Sequence, residues 1–297
     1  MLASWFRKAG QVMYGVLASW RWIAFLAVIA ALAWLAGRGL PDGRLHVYFL
    51  DVGQGDAILI LAPDGQQILI DSGPSPAALL EEVGAVLPFW DHSLDLVVLT
   101  HPDADHMTGF VSLLDRYRVD QALDAPGTLE ASEATPWLGA LSAADVPRTY
   151  AERGMRLKAG DMVLTVLNPD GRRPWSKAPV GNDDSVVLRL DYGQTSLLLT
   201  GDAGQAAEMD MLQAGVTLPA DVLKVGHHGS NGGPSAAWLE VVKPRVAVIQ
   251  VGAENDYGLP HEDVLARLSD AEILRTDLHG RIELTSDGRQ WWHATER

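Results

Sequence analysis

The sequence predicts an α/β protein: two packed β-sheets with helices outside, preceded by one apolar helix. Three observations carry this. Strand signals come as hairpins early in the chain, and strand and helix signals alternate later. The start of the chain holds an uncharged apolar run, Trp22 to Gly37. With 297 residues, 47% hydrophobic and 21% charged, the composition is globular and excludes a disordered or collagen-like chain. The absence of cysteine excludes disulfides, thiolate zinc sites and a cysteine nucleophile.

Trp22–Gly37 would make a helix of about 24 Å, somewhat short of a hydrocarbon core of about 30 Å. Arg21 and Arg38 flank it and can snorkel, while Trp20, Trp22 and Trp34 suit membrane interfaces. It is read as a single membrane anchor. Basic residues before the run (Arg7, Lys8, Arg21) place the N-terminus inside and the body outside the cytoplasm. A cleaved signal peptide, which would secrete the body, and a buried helix are the alternatives. GRGLPDGR (37–44) reads as a linker, so residues 1–44 form anchor and linker and residues 45–297 one further domain.

Within the body, Leu45–Leu50 is strand-like, and Asp56–Leu61 with Gln67–Asp71 form a hairpin across Pro-Asp-Gly-Gln. Pro76–Leu87 places Leu79, Leu80, Val83 and Leu87 on one helical face. Leu94–Thr100 is a buried strand and Met107–Leu114 a helix. Ala125–Lys158 gives weak signals and reads as a surface excursion. Strands are expected at 161–167, 185–191, 195–200, 221–225, 245–251 and 272–276. Helices are expected at 205–214, 235–242 and 261–269, and 281–285 with 290–293 close the chain as a hairpin. Gly53 and Gly55 open no long helix, so a dinucleotide fingerprint is not supported.

The formal net charge is −15. The first 44 residues hold five basic residues and one acid, leaving 18 basic against 37 acidic in the body. Such a surface repels polyanions at long range, so an anionic substrate must be held locally, most simply by metal ions.

The chemistry concentrates at three strand ends. His101-Pro102-Asp103-Ala104-Asp105-His106 follows the buried strand, putting four metal-competent side chains within six residues. Asp202 ends another strand in Thr-Gly-Asp, where alone it would read as a helix cap. His227 and His228 lie in Val-Gly-His-His-Gly-Ser after a third. His, Asp and paired His at three strand ends are best explained as one site. His46, His92, His279 and His293 are isolated and read as surface or strand-face residues.

These motifs resemble the metallo-β-lactamase superfamily. FLDVGQGDAILI, ILIDSG, LKVGHHGS and RTDLHGRIEL are similar to one branch, the C-terminal domain of ComEC-type competence proteins, which carry DNA across the membrane during transformation. The resemblance runs from about Leu45 to Trp292 and lacks the many-helix channel of a full ComEC protein. It implies a four-layer αββα sandwich with a dinuclear site at one edge. In that site His101 and Asp103 would bind one metal, Asp105, His106 and His228 the other, and Asp202 both. Asp71 would support the site from beneath, and Asp56 would lie near the pocket. The superfamily's histidine between the first motif and the bridging Asp is missing here, with Asn182 and Asp183 the nearest candidates to stand in. An oxygen-rich site suits manganese or magnesium better than zinc.

The resulting expectation is a membrane-anchored hydrolase of DNA phosphodiesters that uses two divalent metal ions (manganese or zinc, with magnesium possible). Asp105 would orient the water. His227 or His261 would contact the phosphate or protonate the leaving oxygen, and Asp56, Lys224 and Asn182 would meet the substrate. Single-stranded DNA and a separate competence channel protein are the expected partners. A small-ester or phosphocholine-type hydrolase, and a non-catalytic DNA-guiding module with a vestigial site, are the competing readings.

Overall fold

The computed structural model describes residues 22–30, 41–171 and 181–297. The chain divides into two units, Met1–Leu40 and Pro41–Arg297. In the first, residues 22–30 form a helix (α1) with every residue exposed. The rest of the apolar run, 31–37, lies outside the described residues. Among the described residues, no helix is long and apolar enough to cross a membrane.

The second unit contains two large sheets. The first begins with the meander β1 (Leu45–Phe49), β2 (Ile58–Leu61) and β3 (Gln67–Ile70), which pair antiparallel. Helix α2 (Pro76–Val86) and the short strand β4 (Ser93–Leu94) lead to β5 (Leu96–Leu99), parallel to β3. Helix α3 (Ala104–Leu114) and the short strand β6 (Arg118–Val119) follow. Strand β7 (Ala122–Asp124), helix α4 (Thr135–Ala143) and strand β8 (Arg148–Tyr150) complete this half.

The second sheet starts with antiparallel β9 (Arg156–Ala159), β10 (Met162–Asn168), β11 (Val187–Tyr192) and β12 (Thr195–Leu199). Helix α5 (Gln205–Ala214), β13 (Val222–Lys224), α6 (Ala236–Val242), β14 (Val246–Ile249), α7 (Glu262–Arg267) and β15 (Glu272–Arg275) continue it in parallel. After the short helix α8 (Thr276–His279), β16 (Ile282–Ser286) and β17 (Trp291–Thr295) return to the first sheet. The orders are β17-β16-β1-β2-β3-β5-β7-β8 and β15-β14-β13-β12-β11-β10-β9.

Alternation along the strands explains the layering. Val47, Ile60, Ile70 and Val98 of one sheet meet Leu164, Leu188, Leu197 and Val248 of the other in a dry central core. The opposite faces pack against helices: Leu59, Leu69, Val97 and Leu99 against Leu79, Phe110 and Trp137, and Leu198 and Leu223 against Met211 and Trp238. The result is the αββα arrangement expected from the sequence.

Two expectations are corrected. Residues 125–158 are not a surface excursion: they hold α4, with fully buried Trp137, and two edge strands. Trp137 donates to Asp124 (2.8 Å), which also accepts from Arg148. The shared partner Asp124 lies outside the segment and Trp137 packs against Phe110 of α3, so periodicity within the segment is weak. Helix α3 also starts three residues earlier than read, which puts Asp105 and His106 on its first turn rather than on a loop.

Candidate metal centre

Five segments meet at one edge of the sandwich, where strands of both sheets end. Strand β5 delivers Thr100 and His101, and α3 opens with Asp103 at its N-cap. Strand β12 delivers Asp202, β13 leads into the loop with His227 and His228, and the turn after β1 supplies Asp56. Close backbone approach draws them in. A Cβ on Gly109 of α3 would come within 2.1 Å of the Ser72 carbonyl, and one on Gly55 within 2.2 Å of the Asp105 carbonyl, so glycine is required at both.

Three buried histidines are fixed in the same way. His106 Nδ1 donates to Asp71 Oδ2 (2.8 Å) and His228 Nδ1 to the Gln250 carbonyl (2.9 Å). His101 Nδ1 lies 3.1 Å from Thr100 Oγ1, which itself donates to Asp71 Oδ2 (2.7 Å). Each Nε2 is thereby left to face Asp202 Oδ2, at 3.3 Å from His106, 3.5 Å from His228 and 3.9 Å from His101. His228 Nε2 also meets Asp105 Oδ2 (3.2 Å), while the other two have no hydrogen-bond partner among the described residues. A protein group on one ring nitrogen, with the second turned to carboxylates or left open, is the usual preparation of a metal-binding imidazole.

His227 and His228 both have positive φ (49° and 52°), the left-handed region that costs a residue with a Cβ roughly 1–2 kcal/mol. The loop holds them there through His227 N–H to the Gly201 carbonyl (3.3 Å) and Ser230 N–H to the His227 carbonyl (2.8 Å). Strain of this kind gathers where orientation matters more than local stability.

Burial alone would raise the Asp202 carboxyl, but the facing histidines, His228 and His106 foremost, hold it well below its ordinary value. Burial alone would depress His106 and His228. Asp202 with Asp71 overcomes this at His106, raising it well above normal, and Asp202 with Asp56 lifts His228 to about 10. The centre is therefore a buried anionic field that draws positive charge.

Whether a divalent cation suits these residues is decided by the polar atoms left without a partner. Among the described residues, His101 Nε2, His106 Nε2 and Asp202 Oδ1 are buried with no hydrogen-bond partner, at a cost of about 1–3 kcal/mol each. His101, His106 and Asp202 bring ligand atoms within 4.8 Å of one another, and so do Asp105, His106 and His228. Borderline nitrogen and hard oxygen donors with open lone pairs at this spacing fit a divalent cation.

The other sequence-nominated residues separate. Asp103 stands at an N-cap position without capping; its carboxylate turns to His101 Nε2 at 3.5 Å and is half-exposed. His227 is partly exposed at the mouth, 3.9 Å from Asp202, with Asn182 beside its ring at 3.3 Å. His261 lies outside the ligand groups: its Nδ1 accepts from Asn231 N–H (3.1 Å), and the helix behind it has only six residues. Two assignments are corrected. Asp56 and Lys224 are 1% and 0% exposed and form an ion pair with each other, so neither meets a substrate. Lys224 also donates to the Gly201 carbonyl (3.1 Å), as a buried charge requires. Asp183, a candidate to stand in for the missing histidine, falls in none of the ligand clusters among the described residues, and its Oδ1 accepts from Gly204 N–H (3.0 Å) and Ala207 N–H (3.3 Å) at the start of α5.

Sequence reasoning missed Thr100, Ser185 and Gln250. Thr100 and Ser185 bracket His101 Nδ1, and Ser185 Oγ also accepts from Asp202 N–H (3.2 Å). The Gln250 amide donates to the Leu50 and Ala57 carbonyls (3.1 and 2.9 Å), tying the sheets together behind His228. Their roles come from the fold; in the sequence the signals were Thr100 directly before His101 and a lone glutamine within the apolar strand Arg245–Val251.

The fold and this centre define the class, and residues 50–252 match the model of the metallo-beta-lactamase superfamily: the chain belongs to that superfamily. Among curated proteins it is similar to ComE operon protein 3 of Bacillus subtilis, 32% identical over 258 residues, covering 80% of this chain and 32% of that one. It is also similar to competence protein ComA of Neisseria gonorrhoeae, 30% identical over 282 residues, covering 87% and 38%. The chain spans about a third of the length of these ComEC-type relatives. Among solved structures, the metallo-beta-lactamase fold protein YhfI of Bacillus subtilis superposes with a TM-score of 0.54 at 14% identity, covering 84% of this chain and all of that one.

Proposed function

We propose that this chain is a metal-dependent hydrolase that cleaves phosphodiesters of DNA, single strands above all, in the manner implied by its ComEC resemblance. The observation that carries the reading is the convergence of three back-bonded imidazoles on one buried carboxylate, Asp202. His101 with Asp103 would hold one divalent cation, Asp105, His106 and His228 a second, and Asp202 would serve both. Bound there, the cations would supply a water of lowered pKa and neutralise a phosphate's charge. Asp71, Thr100 and Gln250 keep the imidazoles oriented. Asp105, partly exposed and 3.2 Å from His228 Nε2, would orient a water. His227 and Asn182 at the mouth can donate N–H groups to a phosphoryl or leaving oxygen.

The superfamily histidine missing between His106 and Asp202 leaves several oxygen donors, which favours manganese or magnesium over zinc. The acidic surface favours a second reading, a small phosphodiester or ester as substrate, because it gives a long polyanion no assistance. Incubating the purified chain with single-stranded DNA and with bis(p-nitrophenyl) phosphate, under manganese, magnesium or zinc, tests both. Cleavage of DNA that is strongest with manganese and lost in Asp105→Ala is expected. Hydrolysis of the small ester alone would favour the second reading, and no metal-dependent cleavage at all would defeat both. The apolar run 22–37 is proposed to anchor the chain in the membrane with the body outside the cytoplasm, beside a separate channel protein. Protease protection of the body in intact spheroplasts would overturn this topology.

A further inference from the structure

The end of the sandwich opposite the cation centre carries large aromatic side chains in water. Helix α2 starts just after Asp71 and runs about 16 Å away from the centre. Beyond its far end, Phe89 and Trp90 stand 80% and 49% exposed, packed edge to face with centroids 4.8 Å apart. The next residue, Asp91, accepts from the Gln67 amide (2.6 Å), which ties this tip to the first residue of β3, the strand whose other end leads to Asp71. Trp292, 42% exposed, lies at the same end: it pairs with Thr285, while neighbouring Ser286 pairs with Leu45, the first residue of β1.

The body's own chain begins here too. Pro41 lies against Gly65 in the β2–β3 turn, Tyr192 Oη donates to the Gly43 carbonyl (3.2 Å), and the Arg44 guanidinium sits over the Trp292 ring at 5.6 Å. In sequence, only Arg38, Gly39 and Leu40 separate Pro41 from the apolar run ending at Gly37, at most about 14 Å of extended chain. So short a tether in the sequence gives any contact made by this end a high effective concentration, so that contact needs little affinity of its own.

We propose that Phe89, Trp90 and Trp292 rest in the headgroup interface of a phospholipid bilayer, leaving the cation centre facing away from it. This rests on the reading of residues 22–37 as a membrane anchor. Exposed Trp and Phe beside an apolar anchor match the preference of aromatic rings for that interface. The same end also carries Asp42, Asp64, Asp95 and Asp120, all exposed, so the contact is apolar and aromatic rather than electrostatic. Neutral phosphatidylcholine suffices, and anionic lipid weakens it.

Because the chain has no cysteine, a single one can be labelled cleanly. Phe89→Cys, in the full chain reconstituted into phosphatidylcholine vesicles, would carry an environment-sensitive fluorophore. Tyr257→Cys, 71% exposed on the loop after β14 at the centre's end, is the control. The label at 89 should shift to the blue and be quenched by a nitroxide-bearing lipid, while the label at 257 does neither. Equal exposure of both labels to water in protein that floats with the vesicles would overturn the docking and leave the anchor standing. Protein that fails to float would overturn both. A blue shift at 89 that appears without lipid and grows with protein concentration would identify a second copy of the chain instead, and overturn the bilayer proposal.

Discussion

Asp71 never reaches the open face of the centre, yet it sets two of its donors. It accepts from His106 Nδ1, Thr100 N–H and Thr100 Oγ1, all within 2.8 Å, and through Thr100 it also fixes His101. Replacing it frees both rings without removing a nitrogen donor. Asp71→Ala should weaken divalent-cation binding by about 10–100-fold, measured by titration calorimetry; unchanged affinity would show that the rings hold their pose without it. Away from the centre, His46 titrates with the fold. Its hydrogen bond to Glu283 (2.8 Å) raises its pKa against burial, with help from Asp42, and Glu283 is lowered in return. A raised histidine stabilises fully below its unfolded value, about 6.5, and loses that contribution as pH rises through the folded value. Glu283 contributes above its own unfolded value and loses that contribution in acid. Urea unfolding at pH 6 and pH 9 should therefore show a loss of stability at the higher pH that shrinks in His46→Gln. The difference should stay below about 1 kcal/mol, because His46 is only half-buried and screened. An identical loss in the variant would remove His46 as the cause.

At the scale of elements, what the sequence made legible depended on whether the interactions were local. The His101–His106 motif could be read because its donors are contiguous and follow an apolar strand. Strand ends, hairpins and most helices were legible from their own periodicity. Helix α4 was not, because buried Trp137 is held by Asp124 and packs against Phe110, outside its own segment. Asp183 was misleading for the same reason: it looks like a spare ligand, but its partners lie about twenty residues further on. Helix α5 begins after Gly204, which has no side chain to cap it, and Asp183 caps it from a distant loop. Asp183→Ala should therefore cost about 1 kcal/mol in chemical unfolding while leaving bound-metal stoichiometry unchanged. Loss of a metal equivalent in that variant would restore Asp183 as a ligand.

For the whole molecule, the αββα layering has one consequence that outweighs the rest. Strands of both sheets end at one edge, so side chains separated by more than a hundred residues can share a single buried volume. Those side chains leave polar atoms unpaired inside a protein whose net charge is −15. A chain gains nothing from keeping such a cluster unless a cation completes it, and cation binding to the folded state alone must then stabilise the fold. The alternating strands and the composition pointed to the layers. The depth of the centre, and the burial of Asp56 and Lys224 beneath it, required the folded chain, because a sequence does not show which face of a turn is covered. The most direct test is elemental analysis of the purified chain beside Asp202→Ala, after dialysis against manganese and then metal-free buffer. Two divalent ions per chain, lost in Asp202→Ala, are expected. Retention of no metal by the unaltered chain, or equal retention by both, would contradict the centre proposed for this fold.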